Sequence, residues 1–169
     1  GQILTLPAWI PGSYMIRDFA KNLIKISAKD DMGTNINIQK LDKQTWQAQA
    51  VSTTLTIEYQ IYAFDLSVRG AYINDEMAFL NGTNMFLEVV GQTDQPCRLT
   101  LQKPLQLELS HWKVATTMPT EMQDTHAFGE YRASHYEELI DHPVLMGEFD
   151  ILPFTASGVE FEIILAGGH

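Results

Sequence analysis

Apolar and polar residues alternate along much of this chain, and the alternation is clearest between residues 55 and 62. The apolar positions of this stretch are Leu55, Ile57, Tyr59 and Ile61. Because successive side chains of a strand point to opposite faces of a sheet, the pattern predicts a half-buried antiparallel strand. Shorter stretches of the same kind predict further strands at residues 23–28, 36–41, 45–51, 97–102, 105–109 and 159–165.

Turn-forming residues separate these stretches. Asn81 and Gly82 stand between two apolar runs, and both tolerate the positive φ of a type I′ turn, so they predict a hairpin. Residues 31–33 and 74–76 predict two further turns.

One helix start stands out in this strand-rich pattern. Ser134 and Glu137 have the spacing of a capping box, which predicts a short helix near residues 134–141 that ends before Pro143. No other stretch keeps a 3.6-residue period over ten residues. We therefore predict a mostly β chain of roughly nine to eleven strands, folded as an antiparallel β-sandwich or saddle-like open sheet.

Composition and charge exclude several classes of partner. The 169 residues suffice for one domain, and we expect residues 1–169 to form a single β domain. With 21 acidic and 11 basic residues, the formal charge of −10 repels nucleic acid and anionic membranes. No apolar run is long enough for a membrane helix. A single cysteine, Cys97, excludes an internal disulfide and weakly favours the cytoplasm over the periplasm, leaving the compartment open.

Candidate chemistry is sparse. The five histidines are His111, His126, His135, His142 and His169, and no pair has the H-E-x-x-H spacing of a zinc hydrolase. The sequence has no G-x-S-x-G nucleophile elbow, and Cys97 is interpreted as a small core residue. We therefore assign no catalytic and no metal-ligating residue in this chain.

Charged residues interrupt the apolar pattern at residues 62–72. Arg69 could present its guanidinium to a substrate carboxylate or to a neighbouring domain. Alternatively, Asp65 and Arg69 could form an ion pair that fastens a corner between two strands. The second interpretation is the preferred one.

Four segments, in this order, resemble motifs of the M61 family of glycyl aminopeptidase-type metallopeptidases. They are LPAWIPGSYMIRDF at residues 6–19, FDLSVR at 64–69, NGTNMFL at 81–87 and YEELIDHPVLMG at 136–147. Together they extend over nearly the whole chain, so the resemblance is much more specific than any one of them.

The resemblance implies a non-catalytic N-terminal β domain that precedes a zinc-binding catalytic domain, in a parent that often also carries a PDZ domain. The chain lacks H-E-x-x-H, so the zinc is expected in the parent's catalytic domain and no cofactor in this chain. We expect a fragment truncated at both ends of a multidomain peptidase. An edge strand left unpaired by that truncation could make the isolated fragment a homodimer.

The resemblance also suggests which residues carry function. Six polar residues are candidates for the substrate cleft or for contacts with the chain's own downstream catalytic domain: Tyr14, Arg17, Asp65, Arg69, Asn81 and Asp141. The leading hypothesis is a domain that packs on an aminopeptidase catalytic domain and shapes the cleft for its peptide substrate. The alternative is a free-standing β-sandwich module that binds peptide or glycan on Trp9, Tyr72 and Trp112.

Overall fold

The computed structural model describes residues 1–10, 12–13 and 15–167, and strands dominate them. Strands account for 41% and helices for 10%, so the predicted mostly β class is confirmed. The strands are, in chain order, β1 Gln2–Thr5, β2 Leu23–Lys29, β3 Asn35–Ile36, β4 Ile38–Lys40, β5 Thr45–Ala48, β6 Thr56–Ile61, β7 Ala71–Ile73, β8 Met77–Leu80, β9 Glu88–Val89, β10 Cys97–Thr100, β11 Lys113–Thr116, β12 Glu130–Ala133, β13 Val144–Gly147, β14 Phe149–Ala156 and β15 Val159–Ala166. Where one helix was predicted, the described residues contain two short α-helices, α1 Gly82–Met85 and α2 Tyr136–Asp141.

The strands form several antiparallel sheets, as predicted. Two sheets have four strands each, in the orders β4-β5-β1-β9 and β11-β13-β8-β7. A third sheet has the order β3-β2-β6, and two strand pairs, β10-β12 and β14-β15, stand as separate sheets. All these pairings are antiparallel.

Strand β6 follows the alternation that predicted it. Its even-numbered residues are exposed and its odd-numbered residues are half-buried. It pairs with β2, from Thr56 opposite Lys29 to Ile61 opposite Leu23. The strand predicted at residues 36–41 is instead divided between two sheets, because β3 pairs with β2 whereas β4 pairs with β5.

The strand predicted at residues 105–109 is wrong. The segment contains a 3-10 helix at Leu107–Leu109, and its backbone bonds are local, from the Leu109 amide to the Gln106 carbonyl and from the Ser110 amide to the Leu107 carbonyl. Leu105 and Leu107 are 96% and 84% exposed. Alternating leucines therefore did not produce a strand where no neighbouring strand supplied a partner.

The type I′ hairpin predicted at Asn81 and Gly82 is also wrong. Asn81 has φ −89° and ψ 126°, and its side chain accepts a hydrogen bond from the Thr83 amide at the start of α1. Strand β8 before it pairs with β7 and β13, and β9 after it pairs with β1. Asparagine suits both a left-handed turn and a helix N-cap, and here it serves as the cap.

The capping residues of α2 lie one position later than predicted. His135 is the N-cap, and its ring accepts a hydrogen bond from the Glu138 amide at 3.2 Å. The amide and hydroxyl of Ser134 both donate to the Glu138 carboxylate. These bonds lower the pKa of Glu138. Glu138 thus takes the role predicted for Glu137, but its carboxylate accepts from Ser134, the residue before the N-cap, instead of from the N-cap amide.

The two other predicted turns are confirmed. Gly33, at φ 78°, completes the turn between β2 and β3, and its amide donates to the Asp30 carbonyl at 3.1 Å. The turn between β7 and β8 is fixed by the Asn74 side chain, which accepts from the Met77 amide at 2.8 Å.

Two apolar clusters form the core. The larger lies where α2 meets β11, β12 and β13, and its buried members are Leu101, Val114, Met118, Tyr131, Ala133, Tyr136, Leu139 and Val144. The smaller lies beside β1 and β5, with Leu6, Phe19, Ala20 and Trp46 buried. Helix α1 lies beside both α2 and the 3-10 helix at Phe19–Asn22.

Candidate functional site

Helix α1 is a single turn that carries buried polar side chains. Thr83 and Asn84 are only 1% and 3% exposed. At the N-terminus, the Asn81 side-chain oxygen accepts from both the amide and the hydroxyl of Thr83. A one-turn helix cannot satisfy its own terminal groups, so neighbouring segments must supply the partners.

Two tyrosine hydroxyls supply partners at the C-terminal end of α1. Tyr59, from β6, donates to the Met85 carbonyl at 2.6 Å, and Tyr136, from α2, donates to the Phe86 carbonyl at 2.7 Å. Burial raises the pKa of both tyrosines, and the nearby Glu88 raises that of Tyr136 further. Both hydroxyls therefore remain protonated donors at neutral pH.

The corner segment, residues 65–70, is held by asparagine side chains. The Asn81 amide group donates to the Val68 carbonyl at 3.0 Å, and the Asn84 amide group donates to the Arg69 carbonyl at 2.6 Å. The Asn81 backbone amide adds a bond to the Gly70 carbonyl at 3.1 Å. The conformation of the corner is thus fixed through its backbone, which leaves its side chains free to face outward.

The ion pair predicted between Asp65 and Arg69 is not formed. Both residues are exposed, and neither takes part in any ion pair within the described part of the chain. The corner is fastened by carbonyl groups and asparagine amides instead. The other interpretation, in which Arg69 presents its guanidinium to an external group, is compatible with this geometry and is not tested by it.

Asp141 is the last residue of α2. The two helices approach closely, since a Cβ added to Gly82 would lie 2.7 Å from the Ile140 Cα. A groove of about 970 Å3 runs along α2, and its lining includes Trp9, Glu88, His135, Glu137 and Asp141. Trp9 is 54% exposed.

Of the two remaining candidates, Tyr14 lies outside the described residues. The Arg17 amide donates to the Ala8 carbonyl at 2.6 Å. The Arg17 Nε is enclosed without a hydrogen-bond partner among the described residues. No described hydrogen bond or ion pair joins the Arg17 side chain to the other candidates.

The structure therefore brings three of the six candidates together. Asp65, Arg69 and Asn81 meet at the corner, while Asp141 lines the groove and Arg17 is joined through its amide to Ala8, another residue of the groove lining. Sequence reasoning missed Tyr59, Asn84 and Tyr136. The alternation in β6 made Tyr59 look like an ordinary core residue, and only the fold shows which carbonyl groups these side chains reach.

The surface proposed for the alternative binding module is not assembled. Trp112 is 4% exposed, so it cannot contact a ligand, and Tyr72 is half-buried against the Phe64 ring at 5.4 Å between centroids. Cys97, interpreted from the sequence as a core residue, is only half-buried at the edge of the larger apolar cluster, where it donates weakly to the Gln95 carbonyl and burial raises the pKa of its thiol.

The described residues contain neither a metal-binding cluster nor a membrane-spanning helix. Among the described residues, no group of three histidine, cysteine, aspartate or glutamate side chains is arranged to hold a metal ion. None of the described helices is long and apolar enough to cross a membrane.

Asn81→Ala is expected to destabilise the chain by about 1–2 kcal/mol, because it removes a helix cap and leaves the Val68 carbonyl without its donor. Asn81→Asp keeps the capping oxygen and loses only the donor to Val68, so its loss should be smaller. Urea unfolding measures both. Asn37→Ala, at an exposed position between β3 and β4, is the control, and equal losses at the two sites would contradict the role of Asn81.

Known proteins share both the sequence pattern and this fold. Residues 1–148 match the family model described as the peptidase M61 N-terminal domain. The chain is similar to the crystal structure of an aminopeptidase N family protein from Idiomarina loihiensis, with a TM-score of 0.94 and 43% identity. That similarity covers 99% of this chain and 28% of the relative, so the chain spans less than a third of the relative's length. No curated protein matches the chain.

Proposed function

This chain belongs to the family of peptidase M61 N-terminal domains, and from that membership we propose that it is the non-catalytic front domain of a zinc-dependent aminopeptidase. In this proposal the domain packs on the catalytic domain and forms one wall of the cleft that receives the peptide substrate. The zinc belongs to the catalytic domain, because this sequence has no H-E-x-x-H segment. The peptide substrate reaches this domain only through the parent enzyme.

The observation that carries the proposal is the corner segment and the way it is held. Three hydrogen bonds from Asn81 and Asn84 fix its backbone. Yet its apolar side chains Leu66 and Val68 are 64% and 74% exposed, and Phe64 just before it is 65% exposed. A rigid segment that presents apolar side chains to solvent is typical of a surface that contacts another protein domain.

Arg69 adds a charged group to this surface. Its carbonyl is held by Asn84, whereas its side chain is exposed and has no ion-pair partner among the described residues. A guanidinium in this position can form paired hydrogen bonds with a carboxylate, either on the substrate or on the catalytic domain. Basic residues are outnumbered by acidic ones in this chain, 11 to 21, so an exposed cation without an acidic partner is less common here than on a basic protein.

Arg69→Ala in the full-length enzyme is expected to lower kcat/KM about tenfold, which corresponds to the loss of one charge-assisted contact. The same substitution should leave the unfolding free energy of this chain nearly unchanged, because the side chain is exposed and forms no ion pair. Steady-state kinetics on a peptide substrate and urea unfolding are the two measurements.

Arg98→Ala is the matched control, since Arg98 is an exposed arginine on β10 that has no ion-pair partner among the described residues. Its kcat/KM should equal that of the unaltered enzyme. If Arg69→Ala and Arg98→Ala gave the same kcat/KM, the cleft-wall role of the corner would be lost.

A second candidate function rests on the groove beside α2. Its exposed Trp9 could stack on a peptide or sugar ring. A binding module of this kind would use Trp9 alone of the three aromatic residues proposed from the sequence. Titration calorimetry of this chain with peptides and oligosaccharides tests it. Micromolar binding that Trp9→Ala abolishes would favour this function, and no heat of binding would count against it.

A further inference from the structure

The last two strands of the described chain form a separate hairpin. Strands β14 and β15 pair along their whole length, from Phe149 opposite Ala166 to Ala156 opposite Val159. The connecting residues Ser157 and Gly158 have φ values of 53° and 79°, as a tight hairpin turn requires. Neither strand pairs with any other sheet of the described residues.

One face of this hairpin is attached to the rest of the domain. Phe149 is buried at its base, where its carbonyl accepts a hydrogen bond from Lys113 at 3.0 Å. Further along the same face, Glu162 Oε2 lies 3.2 Å from His126 Nε2, without the alignment of a hydrogen bond. The His126 Nδ1 is 2.8 Å from the Val114 carbonyl, so the ring links β15 to β11.

The opposite face, here called the apolar arm face, is largely exposed to solvent. Besides Asp150 and Ala156, it carries six large apolar residues that are between 41% and 54% exposed: Leu152, Phe154, Val159, Phe161, Ile163 and Leu165. Alternation along each strand and the observed register place all six on one side. The Phe154 and Phe161 rings stack at 5.1 Å and 14°.

Such a surface is unusual on a free domain. A two-stranded hairpin is only marginally stable by itself, and a contiguous apolar patch on an exposed element marks a place where another protein surface packs. Sequence points the same way, because β15 carries Val159, Phe161 and Ile163 at every second position. That alternation specifies a face to be buried, yet no described residue covers it.

The limits of the family match bear on which part of the protein could cover the apolar arm face. The family model ends at residue 148, directly before the first residue of β14. The similarity to the Idiomarina protein covers 99% of this chain and therefore includes the hairpin, while most of that relative lies outside the matched part. The hairpin is thus common to both proteins but lies beyond the N-terminal domain as the family defines it.

We propose that the hairpin at residues 149–166 is the first element of the next domain, and that the apolar arm face packs into the core of that domain within the same polypeptide. This inference rests on the proposed function, which identifies that next domain as the catalytic peptidase domain. The domain boundary then lies at Gly147 and Glu148, and the single domain expected over residues 1–169 is divided there. The hairpin acts as an arm that fixes the orientation of the two domains.

The existing crystal structure of the Idiomarina relative provides a first test. Residues aligned with the apolar arm face should be buried there by parts of the same chain that lie outside the matched region. Solvent exposure at these aligned positions, or burial against a second copy of the chain, would overturn the proposal.

The second test compares the 169-residue chain with the full-length polypeptide. The double variant Phe161→Gln with Ile163→Gln should leave the Tm of the 169-residue chain within about 2 °C and reduce its binding of an apolar dye. In the full-length polypeptide the same variant should lower the Tm by about 5 °C or more, because the face is buried there. Thr155→Gln, at an exposed position on the other face of the hairpin, is the matched control and should change neither Tm.

The outcomes separate this inference from the cleft-wall proposal. An unchanged Tm in the full-length polypeptide would overturn the docking of the hairpin, whatever Arg69→Ala does to kcat/KM. A lowered Tm together with an Arg69→Ala enzyme of normal kcat/KM would support the docking and refute the cleft wall. Sedimentation that finds a dimer of the 169-residue chain, dissociated by the double variant, would assign the face to a second copy and overturn the inference.

Discussion

Gly82→Ala is expected to destabilise the chain by about 3 kcal/mol, although alanine normally stabilises a helix relative to glycine. Gly82 is buried at the first position of α1, and its φ is not in the left-handed region. An added Cβ would lie 2.7 Å from the Ile140 Cα and 3.0 Å from its carbonyl oxygen. Because both atoms belong to the backbone of α2, no side-chain rotation relieves the contact. Urea unfolding measures the loss.

Gly33→Ala is the control for this substitution. Gly33 has φ 78°, and an added Cβ would meet nothing within 4 Å. Its cost is therefore only that of a left-handed backbone, about 1 kcal/mol. If the loss at Gly82 were no larger than the loss at Gly33, the close approach of α1 and α2 would be contradicted.

Tyr131→Ala is expected to cost about 4 kcal/mol, the largest loss predicted for a single side chain in this protein. Tyr131 lies on β12 in the larger apolar cluster and is 0% exposed. Its hydroxyl donates to the Ala127 carbonyl at 2.6 Å, and the Thr125 carbonyl, at 3.2 Å, is a second acceptor for the same hydrogen. Truncation therefore removes a large buried ring and leaves the Ala127 carbonyl without its donor.

Tyr131→Phe separates the two contributions. It keeps the ring and removes the hydroxyl, so about 1–2 kcal/mol of the loss should remain. Tyr62→Ala is the control, because Tyr62 is 59% exposed and its loss should be within about 0.5 kcal/mol. Thermal and urea unfolding of the three variants would contradict the packing described here if Tyr131→Ala and Tyr62→Ala were equally stable.

The two sites probe different parts of the arrangement that supports the candidate surface. Tyr131 belongs to the cluster on which α2 packs, through Tyr136 and Leu139. Gly82 sets the distance between α2 and α1, and α1 in turn holds the corner through Asn81 and Asn84. A substitution in the core can therefore alter the position of the exposed corner, because α2 packs on the core and α1 connects α2 to the corner.

Alternation predicted strands well where a partner strand was available. Strand β6 follows it residue by residue, because side-chain direction in a strand is a local property of the backbone. Residues 105–109 alternate as well, yet form a 3-10 turn with exposed leucines. A strand needs a neighbour for its backbone groups, and the sequence of one segment does not say whether that neighbour exists.

The sequence predicted which residues belong to the candidate site, but not which groups they contact. The motifs pointed to Asp65, Arg69 and Asn81, and the structure places these residues in one corner. The expected pair between the Asp65 and Arg69 side chains is absent from the described residues, because the bonds that fasten the corner go to carbonyl groups. Every residue carries a backbone carbonyl group, so the identity of a residue does not show whether its carbonyl accepts such a bond.

The sequence by itself determined the mostly β class, the strands β2, β5, β6, β10 and β15, the turns at residues 31–33 and 74–76, and the family to which the chain belongs. These follow from the spacing of the apolar residues and from short motifs that occur in the family's order. Both signals depend only on residues that are close together in the sequence. Only the tertiary structure decided that Asn81 caps a helix instead of turning a hairpin, that Tyr59 and Tyr136 hold the end of α1, and that the apolar arm face stands uncovered. Those outcomes depend on which distant backbone groups come within hydrogen-bond or packing distance, and that distance is set by the fold as a whole.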